Sequence, residues 1–218
     1  MQSTAKKKAD MKIVILGDAS VGKTSLIQRY LQGVFNEDKI STLGASFFLK
    51  QWGPYNVAIW DTAGEERFSG LSSFYCRSAS AAIVAYDITQ GRSFQVLKER
   101  HLQLLEAAEP NCLIVVVGTK TDLVTRDTRE VPSSAGEKLA IEQNERKGRP
   151  RSGFSVHPFF ETSAKTGNNV DKVFEFILNT CLPLDDEETA RNSLRKMSGL
   201  NLEQKSRRSH SHESKSCC

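Results

Sequence analysis

The sequence predicts an α/β fold, a six-stranded, mostly parallel sheet flanked by about five helices. Three observations carry that prediction. Short apolar runs alternate along the chain with amphipathic stretches, the rhythm of a sheet covered by helices on both faces. The first run, Lys12-Ile13-Val14-Ile15-Leu16, leads into Gly17-Asp18-Ala19-Ser20-Val21-Gly22-Lys23-Thr24 and then into apolar residues at helical spacing. Strand, glycine turn, helix is the context that the pattern G-x-x-x-x-G-K-[ST] requires. Further polar motifs follow the third, fifth and sixth strands, at the carboxyl edge where such sheets bind ligands.

Taken in order, the strands fall at residues 12–16, 46–51, 56–60, 81–86, 113–117 and 159–162. Gly53-Pro54 between the second and third reads as a tight turn, so that pair should be antiparallel. Helices fall at residues 23–31, 68–76, 93–108, 134–144 and 170–181, the amphipathic stretches between the runs.

At 218 residues the chain holds one ordinary α/β domain and some extra. Residues 1–10 read as a flexible N-terminus, 11–182 as the domain, and 183–218, polar almost throughout, as a disordered tail. Within the domain, residues 142–157 are basic and rich in Gly and Pro, an exposed surface insertion. It is either a solvated loop without a role or a contact for acidic lipid headgroups or a partner. The net charge of +4 is mild and gives no sign of a nucleic-acid partner; its surplus is local, at 6–8, 146–151 and 205–215. No apolar run nears the roughly 18 residues of a membrane span, and the polar start is not a secretory signal. Cys76, Cys112 and Cys181 lie in apolar or element-like segments and read as buried thiols. Cys217 and Cys218 are adjacent in a polar tail, where a structural disulfide makes little sense.

The chemistry follows from the strand ends. Backbone N–H groups of the glycine turn and the positive end of the following helix face an anion. Lys23 reaches its terminal phosphates, and the Thr24 hydroxyl suits a magnesium ion. In Asp61-Thr62-Ala63-Gly64 the acid can face the magnesium through water and the glycine N–H the terminal phosphate. Thr119-Lys120-Thr121-Asp122 and Glu161-Thr162-Ser163-Ala164-Lys165 follow the fifth and sixth strands. A carboxylate such as Asp122 can accept two hydrogen bonds from the N1–H and 2-amino groups of guanine. Adenine lacks that pair, so discrimination can be large.

Four such motifs in this order resemble the small GTPases, a branch of the P-loop NTPases, and within them the Rab family. The resemblance covers residues 11–182 and the terminal Cys217-Cys218, with Ile59-Trp60-Asp61-Thr62-Ala63-Gly64, Arg67-Phe68, Tyr75-Cys76-Arg77 and the switch-like stretch 41–47 as its marks. It implies a G domain that binds GTP and GDP with magnesium. Gly17, Asp18, Ala19, Ser20, Val21, Gly22, Lys23, Thr24 and Ser25 would wrap the phosphates, with Thr24, Thr42 and Asp61 at the metal. Phe35 would pack edge-on to the base and Lys120 along its plane. Thr119, Asp122, Ser163, Ala164 and Lys165 would complete the base pocket, Ala164 giving its N–H to the guanine O6. Gly64 and Glu65 stand at the catalytic positions, and Phe47, Trp60 and Tyr75 match the hydrophobic trio through which Rabs meet effectors.

Three positions depart from the family pattern. Glu65 stands where most relatives carry the glutamine that orients the attacking water. A glutamine donates one hydrogen bond and accepts another, whereas an ionised glutamate only accepts and brings charge towards the γ-phosphate. Slow intrinsic hydrolysis is the expectation. Ala19 and Ser20 put side chains in the turn where they can crowd the transition state, a weaker push the same way. Thr119 replaces an asparagine that normally touches the guanine and braces the phosphate loop, an expected loss of one hydrogen bond worth about 1 kcal/mol net.

Cys217 and Cys218 match the ending on which Rabs receive two geranylgeranyl groups. Two chains anchor stably where one does so marginally, and Lys205, Arg207, Arg208 and Lys215 would add attraction to anionic leaflets. The resemblance then implies a switch of membrane traffic on the cytoplasmic face of endosome, phagosome or Golgi, with a cytosolic pool. Its implied partners are effectors, an exchange factor, a Rab-activating protein, a prenylation escort and a GDP-dissociation inhibitor. The competing expectation is a hydrolysis-deficient, largely GTP-loaded membrane scaffold.

Overall fold

The computed structural model describes residues 9–37, 41–64, 69–154 and 156–183, and of 69–72 the backbone alone. The elements all belong to the first of two units, Met1–Leu182; the second is Pro183–Cys218. Six strands form one sheet: β1 Met11–Leu16, β2 Ala45–Trp52, β3 Tyr55–Thr62, β4 Ala81–Asp87, β5 Leu113–Thr119 and β6 Phe159–Glu161. Their order is β2-β3-β1-β4-β5-β6. Only β2 and β3 run antiparallel, with Trp52 paired to Tyr55 across the two-residue turn and Ala45 to Thr62 at the far end. The other pairs are parallel, as in Ile13 with Ile59, Ile15 with Ile83 and Val116 with Phe159.

The burial pattern explains the pairing. Every residue of β4 and β5 is buried, as strands covered on both faces must be. The edge strand β2 instead alternates, leaving Phe47, Leu49 and Gln51 exposed. Alternate residues of the central strands point to opposite faces. Val14, Leu16, Ala82, Val84, Tyr86, Ile114 and Val116 face one core, closed by Cys76 of α2 (Ser69–Cys76), Leu97 and Leu105 of α3 (residues 91–107), and Leu139 and Ala140 of α4 (Ser133–Arg146). On the other face Ile13 meets Tyr30 of α1 (Lys23–Gln32) and Phe174 of α5 (Val170–Cys181). The Tyr30 and Phe174 rings stack 3.8 Å apart. In α5, Val170, Val173, Phe174, Ile177 and Leu178 make a buried stripe of helical period.

Helix α3, residues 91–107, corrects the sequence reading of a plain α-helix over 93–108. It starts as α-helix (Gly91–Val96), passes through a π-helical turn (Leu97–His101), resumes (Leu102–Leu104) and tightens to a 3-10 turn (Leu105–Ala107). Its buried residues explain the turn. Ser93, Leu97, His101 and Leu105 recur at every fourth position, and a regular helix drifts about 40° with each such step. One wide turn absorbs the drift and keeps all four on the core side. Buried there, the His101 imidazole is pulled down to about 4 by desolvation, and its Nε2 meets no hydrogen-bond partner among the described residues.

Two further readings change. The insertion expected over 142–157 starts later, because α4 runs to Arg146 and buries Gln143 and Asn144. Asn144 takes the Ile114 N–H on its Oδ1 at 3.1 Å and gives its amide to the Ile114 and Ala140 carbonyls, both at 2.7 Å. Lys147 and Arg149 then donate to the carbonyls of Leu105 and Asn111, so those two cations pin the segment. Cys76 and Cys112 are buried as expected, but Cys181, at the end of α5, is half-exposed. No helix among the described residues is long and apolar enough to cross a membrane.

Candidate functional site

The segments that follow β1, β3, β5 and β6 all reach one cavity of about 380 Å³ along the carboxyl edge of the sheet. Its floor is the glycine turn between β1 and α1. Gly17 has φ 148°, and a Cβ there would come 2.2 Å from the Ala85 carbonyl oxygen, so no other residue fits. Lys23, 6 % exposed, folds back to donate its ammonium to the Gly17 and Asp18 carbonyls at 2.8 and 2.7 Å. Burial lowers its pKa to about 8, against the opposing pull of Asp61 and Asp18. The N–H groups of residues 20–24 donate to none of the described residues. Five unpaired donors at a helix N-terminus make an anion site.

Gly64 packs against this loop, where a Cβ would sit 2.2 Å from the Ala19 nitrogen. Beside it three oxygens converge. The Thr24 hydroxyl donates to Asp61 Oδ2 at 2.6 Å and lies 2.9 Å from the Thr42 hydroxyl, which is 3.4 Å from the same carboxylate oxygen. Hydroxyls and carboxylate are hard oxygen donors, and neighbouring ligands around an octahedral magnesium ion with arms of about 2.1 Å stand about 3 Å apart. The two threonine hydroxyls, 2.9 Å apart, fit that ion, with the Asp61 carboxylate behind them in reach of it through water.

The other end of the cavity, where the sequence reading expects the base, is assembled from distant pieces. Lys120 stands in the left-handed region, φ 63°, with its ammonium 2.7 Å from Oδ2 of the buried Asp87. Asp122, on the 3-10 turn Thr121–Leu123, has its Oδ1 fixed by the Ser163 hydroxyl at 2.5 Å. The Thr121 N–H donates to the Thr162 carbonyl, tying the two loops together. Phe35 and Glu37 line the opposite lip, where Glu37 meets Lys165 at 2.7 Å. Thr119 keeps the brace that its asparagine counterpart was expected to supply. Its hydroxyl lies 2.6 Å from the Val21 carbonyl in the glycine turn and 2.9 Å from that of Tyr86.

Of the residues predicted for the nucleotide, Ala19, Ser20, Gly22, Lys23, Thr24, Ser25, Phe35, Thr42, Gly64, Thr119, Lys120, Asp122, Ala164 and Lys165 line the cavity. Gly17, Asp18, Val21, Asp61 and Ser163 stand behind its wall and hold those that line it. Glu65 lies outside the described residues, as do Cys217 and Cys218. Phe47, Trp60 and Tyr75 pack together, with ring centroids 5.2 and 5.4 Å apart. Of the three only Phe47 is exposed; Phe74, beside Tyr75, and Leu49, two residues along β2 from Phe47, are exposed as well.

Sequence reasoning missed two supports. Asp87 left a signal, a carboxylate ending an otherwise apolar strand. Arg29 left none, since an arginine in the last turn of α1 reads as an ordinary charge at the negative end of a helix. In the structure it donates to Gly33, Ala164 and Lys165 carbonyls.

Residues 12–182 match the model of the Ras family. The chain is 40% identical over 212 residues to the Ras-related protein Rab-20 of Mus musculus, across 86% of this chain and 91% of that protein. It is 38% identical over 200 residues to the GTP-binding protein ypt5 of Schizosaccharomyces pombe, across 88% and 87%. To the Ras-related protein Rab-31 of Homo sapiens it is 37% identical over 187 residues, across 84% and 89%.

Proposed function

The chain belongs to the Ras family and within it to the Rab small GTPases, and on that footing we propose that it is a membrane-traffic switch that binds GTP and GDP with magnesium and recruits effectors in the GTP state. The observation that carries the reading is the convergence of four strand-end segments on one cavity, with the glycine turn at one end and Lys120, Asp122 and Ala164 at the other.

In this reading Lys23 and the turn N–H groups hold the phosphates. Thr24 and Thr42 offer their hydroxyls to the metal, with Asp61 behind them through water. When bound, the magnesium neutralises phosphate charge. Asp122 accepts from the N1–H and 2-amino groups of guanine, Ala164 donates to its 6-oxo group, and Phe35 and Lys120 flank the ring. Thr42 holds the stretch 41–47, and Gly64 the loop that follows β3, near the γ-phosphate, so that loss of this phosphate frees both loops. The Phe47–Trp60–Tyr75 surface then loses its shape for effectors.

Glu65 cannot donate a hydrogen bond when ionised, so intrinsic hydrolysis is slow and an activating protein supplies the missing groups. The tail carries the protein to the cytoplasmic face of intracellular membranes through geranylgeranyl groups on Cys217 and Cys218, and an escort protein and a dissociation inhibitor shield them in the cytosol. Nucleotide extracted from protein purified from its own cells tests the cycle. Mostly GDP is the expected result; mostly GTP would turn the reading to a permanently loaded scaffold. A tagged chain lacking Cys217 and Cys218 should be cytosolic, and one that still decorates membranes contradicts the anchor.

A further inference from the structure

We propose that Arg29 is a positioning residue for the base, setting the loop that meets the 6-oxo group of guanine from behind the pocket. The inference rests on the reading that Ala164 and its loop recognise that oxygen. Arg29 sits in the last turn of the helix whose first turn holds the phosphates. Its Nε donates to the Ala164 carbonyl and its Nη2 to the Lys165 carbonyl, both at 2.5 Å. These two donors share one edge of a rigid planar fork, so two successive peptide planes are fixed relative to each other as well as to α1. In a trans peptide the N–H points opposite to the C=O. Drawing the Ala164 carbonyl onto Arg29 therefore turns the Lys165 N–H away from α1. The preceding plane, which carries the Ala164 N–H, is held by the loop itself through the Gly167 N–H on the Ser163 carbonyl at 2.8 Å.

The third donor reaches the other lip. Arg29 Nη1 donates to the Gly33 carbonyl at 2.6 Å, while the Gly33 N–H donates back to the Arg29 carbonyl at 3.0 Å. Gly33 ends α1 two residues before Phe35. One guanidinium thus ties the root of the segment that carries Phe35 to the loop that carries Ala164. A lysine at 29 would keep the charge and lose the fork. Asp122 is held by other contacts, on its own 3-10 turn and by Ser163, so recognition of the 2-amino group should survive the loss of Arg29.

The test compares equilibrium affinities of the full chain and of Arg29→Ala and Arg29→Lys for three diphosphates. GDP carries both groups, and inosine diphosphate lacks the 2-amino group alone; 2-aminopurine riboside diphosphate lacks the 6-oxo oxygen and with it the N1–H, a loss at Asp122 that is common to all three proteins and cancels when their ratios are compared. In Arg29→Ala the preference for GDP over the 6-deoxy analogue should shrink about fivefold or more while GDP is released about tenfold faster, and the preference over inosine diphosphate should stay within about twofold. Arg29→Lys should lie between. A 6-oxo preference unchanged in both variants overturns the proposal, as does an equal collapse of both preferences, which marks general loosening. If Arg29→Ala does not fold, Arg29→Lys decides alone by the same two ratios. Should the unaltered chain show no preference for the 6-oxo group, the underlying reading of Ala164 fails and takes this inference with it.

Discussion

The half of the site proposed to take the phosphates occupies nine consecutive positions, residues 17–25, and its shape is enforced by backbone packed on backbone. The half proposed to take the base draws on Phe35, residues 119–122 and residues 163–165, and its shape is enforced by side chains reaching between segments. The difference teaches where each half is vulnerable. A contiguous cradle fails through sterics at a glycine, in an all-or-none way. An assembled pocket fails one hydrogen bond at a time, and through residues that never touch the ligand.

The largest expected effect lies in the cradle. Gly17→Ala puts a methyl group 2.2 Å from the Ala85 carbonyl oxygen at a positive φ, and should cost more than about 4 kcal/mol in denaturant unfolding and abolish nucleotide binding. Near-normal binding in this variant would erase the contrast between the halves.

Next comes a perturbation of the frame that belongs to neither half. Burial holds His101 at about 4, below the roughly 6.5 of an unfolded chain, so the unfolded state takes up the proton first as pH falls. Stability is intact above about pH 6.5 and should drop by on the order of 3 kcal/mol by pH 4. Urea titrations across that range measure it, and His101→Leu should remove most of this acid limb.

The base half predicts smaller, graded losses. Thr119→Val leaves the Val21 and Tyr86 carbonyls without their hydroxyl partner, and should cost about 1–2 kcal/mol, seen as roughly tenfold faster GDP release. Thr119→Ser should release GDP as the unaltered chain does. Smallest of all is the pair at the rim, where Glu37 and Lys165 are both largely exposed. Glu37→Gln should change GDP release by less than about twofold, and salt should erase even that.

The same contrast explains what could be read from the sequence. Six strands, five helices and the antiparallel hairpin were legible because apolar runs and glycine turns are local signals. The cradle was legible for the same reason. At the base end the motif residues were visible, but Arg29 lies more than a hundred positions from the loop that it holds, and nothing near it in sequence marks that contact. Thr119 was read as a loss because a shorter side chain was compared with a longer one. Packing brings the Val21 carbonyl to its hydroxyl, a contact that no local pattern encodes. The π-helical turn of α3 was visible in principle, in four core residues spaced by four, but a helical reading that pools three- and four-residue spacings hides it. Asn144 fell where the expected helix, 134–144, overlapped an insertion, 142–157, read from its basic, Gly- and Pro-rich composition; a buried amide that satisfies β5 backbone is as much a core residue as a leucine.

The most direct test is nucleotide selection by the purified full chain after its bound nucleotide is removed. Titration should show GDP preferred over ADP by about a thousandfold or more, and Asp122→Asn should abolish that preference and favour xanthosine diphosphate, whose 2-oxo group accepts from the new amide. A chain that binds ADP as tightly as GDP, or an Asp122→Asn variant that keeps its preference for guanine, would contradict the account.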